Sequence, residues 1–115
     1  MNTITIAFDV DWTLIGTDTK DQISQNKRVI NGLKFFKSCK NTKIIVWSGR
    51  WEEWARFITT DLWIEQYVDG YASKNHKGKD KDGKHIFEPD FTPDIAIDDI
   101  QACDLWLMNL IVREK

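Results

Sequence analysis

The sequence predicts an α/β domain in three layers, a central and mostly parallel sheet with helices packed on its faces. Segments of strand character alternate with segments of helical period along the chain, the order a parallel sheet requires. The first segment, residues 3–8 (TITIAF), is apolar on both faces, which makes it a central strand. Polar residues of catalytic type then close the apolar runs: Asp9 the first, Ser48 the second, Asp98 with Asp99 the fourth. In open α/β sheets, ligands bind outside these carboxyl ends of the strands.

Each further element has its own warrant. Over residues 26–39 the apolar positions Val29, Ile30, Leu33 and Phe36 recur at helical spacing, and the polar CKNTK ends the segment. KIIVWS, residues 43–48, repeats the strand pattern until GR breaks it. Trp51, Trp54, Ala55, Ile58 and Leu62 form the inner stripe of a second helix, and Trp47, Trp51 and Trp54 are assigned to core packing. Residues 67–73 (YVDGYAS) read as the third strand. Residues 74–93 have no helical period and read as an irregular excursion or a hairpin turning near KDG. Residues 94–99 (DIAIDD) form the fourth strand, 102–107 a short helix and 109–112 a brief fifth strand.

Length and composition narrow the function. The chain suits one domain, residues 1–115, and its 42% hydrophobic content is that of an ordinary globular protein. A net charge of -2 exerts no global pull towards nucleic acid or an anionic membrane. Cys39 and Cys103 are too few for a disulfide framework or a zinc site, and read as small packed hydrophobes in a reducing cytosol. No basic segment leads into the first apolar run, Asp9 interrupts it, and no stretch approaches membrane-spanning length. The expectation is a soluble cytoplasmic protein with no membrane partner. DKDGK looks like part of a calcium loop, but the first and twelfth ligand positions fall on Gly78 and Pro89.

The acidic strand ends raise an electrostatic question. If the first and fourth strands are neighbours, Asp9 and Asp98 face one another across the top of the sheet. Two carboxylates about 4 Å apart repel by about 4 kcal/mol at an effective dielectric near 20. Proton sharing, a basic side chain or a divalent cation would offset that repulsion. A cluster of acids offering only oxygen donors suits a hard ion such as magnesium.

The motifs together resemble the haloacid dehalogenase superfamily of phosphohydrolases. FDVDWTL is similar to its first motif, a hydrophobic strand followed by Asp-x-Asp-x-Thr; IIVWS to the second, a strand ending in Ser or Thr; and DIAIDD to the fourth, a strand ending in two aspartates. A lysine near the end of the third strand supplies the third motif. The four in this order cover nearly the whole chain. Receiver domains use a similar acidic pocket, but their lysine comes last, whereas here it precedes the final aspartate pair. The ending PDIAIDD with NLIV, together with VWSG, is similar to small phage and bacterial members that lack a cap domain.

The resemblance implies a Rossmann-like, capless domain that hydrolyses phosphate monoesters with Mg2+. Asp9 would be the nucleophile, Asp11 the general acid and base, and Lys74 the lysine that neutralises phosphoryl charge. Lys79 is the rival, because its separation from Asp98 resembles that in the phosphatase modules of polynucleotide kinases. Magnesium would be held by the Asp9 carboxylate, the main-chain carbonyl of Asp11 and Asp98, with Asp99 in support. Thr13, Ser48, Gly49 and Arg50 fall on the substrate side: Ser48 and nearby N–H groups for the phosphoryl oxygens, Thr13 to orient the second aspartate or to bond local backbone, Arg50 for substrate or as a plain surface arginine. Trp12 stands where glycine usually follows the second aspartate, and either stacks on a sugar or base or plugs the space a cap would fill. About 36 residues separate Asp11 from Ser48, which a single helix largely uses, so no cap fits there. An open site calls for a macromolecular substrate such as a nucleic-acid phosphate end, or for a homo-oligomer whose neighbour acts as lid. Lys74, Lys77, Lys79, Lys81 and Lys84, with His76 and His85, would draw in a polyanion or form a solvated loop. A small phosphorylated metabolite, or a non-catalytic module that keeps the metal and phosphate site, are the other expectations.

Overall fold

A computed structural model describes residues 3–16, 24–49, 51–98 and the backbone of 108–111. In chain order the elements are β1 (Ile4–Asp9), α1 (Lys27–Ser38), β2 (Thr42–Ser48), α2 (Glu52–Asp61), β3 (Gly70–Ser73), β4 (His76–Lys79), β5 (His85–Phe87), β6 (Ile95–Asp98) and β7 (Met108–Ile111). Five of the strands make one sheet in the order β3-β2-β1-β6-β7, and each pairing within it is parallel. β1 is central, with Phe8 paired to Val46 on one side and to Ile97 on the other. The fourth and fifth strands expected from sequence are thus β6 and β7. The excursion between them and β3 is a hairpin, β4 antiparallel to β5, with its turn tied by Asp80 to the N–H groups of Asp82 and Lys84.

The chain steps from β1 to β2 to β3 in one direction, so right-handed crossovers put α1 and α2 on the same face of the sheet. Val29, Ile30 and Leu33 of α1 and Trp54, Ala55 and Ile58 of α2 bury there against Ile6, Phe8, Ile44, Val46 and Ile97. Each buried Val, Leu, Ile or Phe among them contributes about 1.5–3 kcal/mol by leaving water. The opposite face carries Ala7, Ile45, Trp47, Ala72 and Ala96, with Phe91 packed on them. The three-layer expectation therefore holds only as an α/β domain with a central parallel sheet, since the helix expected over 102–107 lies outside the described residues. Among the described residues, no helix is long and apolar enough to cross a membrane.

Three local expectations are corrected. Trp51 is 58% exposed, because the chain is still extended there (φ -171°) and α2 begins only at Glu52. Cys39 is an exposed free thiol at the end of α1, not a packed hydrophobe, and Cys103 lies outside the described residues. The third strand starts at Gly70, because residues Glu65–Tyr67 form a 3-10 turn and pairing with β2 begins only where Gly70 meets Ile45.

Asp69 fastens that late start. Its carboxylate accepts from Lys37 Nζ (2.7 Å) and from the Ile44 N–H (2.8 Å). Burial pushes its carboxyl up, but these two bonds and the positive charge of Lys37 and Lys43 outweigh it and hold the group below the ordinary 3.8. A depressed carboxyl contributes stability above its unfolded value and loses it as pH falls through the folded one. Asp69→Ala is expected to cost about 1 kcal/mol at pH 7 in urea unfolding, a modest figure for a surface site, with the gap from wild type closing below pH 3.8. A gap that does not narrow in acid would remove the charge from this account.

Candidate active site

The carboxyl ends of β1, β2 and β6 meet where the strand order reverses on either side of β1. Asp9, Ser48 and Asp98 are buried there, each at the last residue of its strand. Lys74 follows β3 directly, and its N–H donates to the Ser48 carbonyl at 2.8 Å, extending the parallel ladder by one residue. From there the side chain crosses the end of β2 to place Nζ 2.8 Å from Asp9 Oδ1 and 3.0 Å from Asp98 Oδ2. A basic side chain, one of the ways to offset the carboxylate repulsion, thus lies between the two aspartates.

The ammonium is itself buried, with Lys74 4% exposed. Burial pulls its proton affinity down, yet the charges of Asp9 and then Asp98 more than reverse this and hold the group above the ordinary lysine range. Gly49 makes space for the crossing. A Cβ there would stand 3.3 Å from the Phe87 ring and 3.8 Å from Lys74 Cε, so the hairpin, through Phe87, and the lysine stem both close on this glycine. The Phe87 ring lies 5.0 Å from Nζ and covers the ammonium from the β5 side. Lys79, by contrast, is exposed on β4.

The turn after β1 positions the second aspartate. The carbonyl of Val10 accepts N–H bonds from Thr13, Leu14 and Ile15, winding a single turn. Trp12 adopts φ 63° in it, a left-handed conformation costing about 1 kcal/mol for a residue with a Cβ, and its ring is 46% exposed. Thr13 is fully buried, and its hydroxyl donates to Asp9 Oδ2 at 3.3 Å rather than to Asp11. The hydroxyl thus bonds the first aspartate, where the sequence pointed to the second aspartate or to local backbone. Asp11 accepts instead from the indole N–H of Trp54, 2.7 Å from Nε1 to Oδ1.

The structure therefore brings Asp9, Asp98, Lys74, Ser48, Gly49 and Thr13 to one place, while the Asp11 carboxylate, in the turn after β1, is bonded to Trp54. Arg50 and Asp99 lie outside the described residues. Among the described residues, no three His, Cys, Asp or Glu side chains gather as a metal-ligating group. The contact missed from sequence is that of Trp54. A tryptophan on the apolar stripe of a helix reads as core, and Trp54 is indeed 8% exposed and stacked 5.8 Å from Phe57, but its one polar atom turns to the carboxylate. A cavity of about 350 Å³ lined by Thr5, Lys43, Ile45, Tyr71, Ala72, Asp90 and Phe91 has none of the candidate site residues in its wall. Searches against protein families, curated proteins and solved structures return no match to this chain.

Proposed function

We propose that this chain is a phosphatase of phosphate monoesters, magnesium-dependent, working through an aspartyl-phosphate on Asp9 in the manner of a capless haloacid dehalogenase. The observation that carries the reading is the buried bridge from Lys74 to both Asp9 and Asp98 at the topological switch point. One ammonium against two carboxylates leaves the cluster anionic. That surplus suits a hard divalent cation, which needs only one or two carboxylates because it keeps several waters. Asp9, the Asp11 carbonyl and Asp98 would hold it, and when bound it would neutralise charge on the phosphoryl oxygens.

The residues can divide the work as follows. An oxygen of Asp9 forms a bond to phosphorus while the ester P–O bond breaks, and its electron pair leaves with the ester oxygen. Asp11 gives that oxygen a proton. Water then attacks phosphorus, Asp11 takes the proton from the water, and the bond from Asp9 to phosphorus breaks to release inorganic phosphate. Lys74 stabilises the anionic nucleophile and the phosphoryl charge, and main-chain N–H groups at the start of α2 favour an anion there.

Two substrate classes remain. The short span between Asp11 and Ser48, of which α1 takes a large part, favours a large substrate, such as a nucleic-acid phosphate end. The hairpin favours a small phosphorylated metabolite, because its lysines are interleaved with Asp80, Asp82 and Glu88, and Lys77 lies 3.5 Å from Glu88. Comparing kcat/KM for 3′- and 5′-phosphorylated oligonucleotides, a mononucleotide and a sugar phosphate, with Mg2+ at two salt concentrations, tests both. Turnover of any of these supports the phosphatase. An oligonucleotide preference that fades with salt assigns the hairpin as docking surface; equal or better turnover of small phosphates, indifferent to salt, assigns it as solvated surface. No turnover across the panel would reject the activity and leave a binding module.

A further inference from the structure

We propose that Trp54 is a positioning residue for the acid and base Asp11, fixing one carboxylate oxygen so that the proton exchanged with the leaving group resides on the other. The inference rests on the phosphatase reading. Its physical basis is the 2.7 Å bond from Trp54 Nε1 to Asp11 Oδ1. Indole N–H is a donor only, so it can bond either the carboxylate or the carbonyl-like oxygen of the acid form, and never competes for the proton. With Oδ1 receiving that N–H, the proton of the acid form belongs on Oδ2.

The anchor is rigid. Trp54 sits on α2 within the buried core that joins both helices to the sheet, so its ring is held by packing rather than by solvent. The stack on Phe57, with the rings 19° from parallel, fixes the plane in which the N–H lies. Asp11, in contrast, sits in a turn, half-buried, next to the strained Trp12. A hydrogen bond from a rigid donor narrows the rotamers that a turn aspartate samples, and proton transfer needs one.

Trp54→Phe keeps an aromatic ring to stack on Phe57 and removes the N–H. In the first step the Asp9 oxygen bonds to phosphorus, the ester bond breaks, and the departing oxygen takes the Oδ2 proton. An alkyl leaving group needs that proton; p-nitrophenolate departs without it. The expected result is a drop in kcat/KM of about 10- to 100-fold on an alkyl phosphate and less than about 3-fold on p-nitrophenyl phosphate, since acid–base assistance is worth about 10²–10⁴ in full. Asp11→Asn should show the same selectivity more strongly. Equal losses on both esters, or none, while Asp11→Asn remains selective, would overturn the role of Trp54 and leave the phosphatase standing. A wild-type chain that turns over neither ester with Mg2+ would bring down both. Independently of turnover, the Trp54 indole N–H resonance, assigned by its disappearance in Trp54→Phe, should move upfield in Asp11→Ala; an unmoved resonance overturns the proposal.

Discussion

Asp9→Asn is expected to lower kcat/KM for phosphate monoesters by about four orders of magnitude while the protein stays folded. The substitution keeps the size of the side chain and an oxygen able to accept from Thr13, whose hydroxyl lies 3.3 Å from Asp9 Oδ2. What it removes is the anionic charge needed for attack on phosphorus. The effect on stability should be small for a reason visible in the charge count. Lys74 faces two carboxylates in the wild-type chain, and after the exchange it keeps Asp98 at 3.0 Å as a neutral pair. Steady-state turnover and thermal melting on the same sample separate the two consequences. Retention of most of the activity would end the assignment of the nucleophile, whereas a melted variant would make Asp9 a structural residue.

The sequence carried the sheet well because its signals there are redundant. TITIAF and KIIVWS are apolar on both faces, and only interior strands of a parallel sheet bury both, so the central place of β1 follows from composition alone. The meeting of Asp9 and Asp98 was legible as a condition: were the two strands neighbours, the carboxylates had to face. The register of β1 with β6 satisfies it. Lys74 was legible because a residue that directly follows a strand points its side chain near that strand's end.

Side-chain partners were less legible, since periodicity reports which face a residue occupies and not what its polar atom meets. Trp54 and Trp51 lie three residues apart on one expected stripe, yet one is buried with its N–H on Asp11 and the other is exposed before the helix starts. Thr13 shows the same limit. Its place in the Asp-x-Asp-x-Thr pattern tells that its hydroxyl is near two aspartates, and only the winding of the turn on the Val10 carbonyl decides that Asp9 receives it. The lysines of residues 74–85, alike in the sequence, meet different partners: Lys74 turns to Asp9 and Asp98, Lys77 lies 3.5 Å from Glu88, and Lys79 is exposed.

Lys74→Met is expected to destabilise the protein by about 3–5 kcal/mol at pH 7, a large share of the roughly 5–15 kcal/mol that holds a domain together. Methionine preserves the length of the stem that crosses β2 beside Gly49, so the loss is one of charge rather than of packing. The sign with pH is set by the direction of the lysine's shift. Its affinity for the proton is raised, so its stabilisation is fully present below the unfolded value of 10.5 and is lost only as pH rises through the higher folded one. At neutral pH the whole contribution is therefore at stake. Without the ammonium, Asp9 and Asp98 are buried together with no charge between them, and their repulsion is worth about 4 kcal/mol at a separation near 4 Å. Two conditions should return part of the loss. Acid should narrow the gap from wild type, because a carboxylate can then take up a proton, and millimolar Mg2+ should raise the melting temperature of the variant more than that of wild type, because the pair now carries its full double charge. Urea unfolding at pH 7 and pH 5, with and without Mg2+, measures all three. A variant within about 1 kcal/mol of wild type at pH 7 would show that Lys74 does not hold the carboxylates together, and a deficit indifferent to both acid and Mg2+ would show that the loss is not electrostatic.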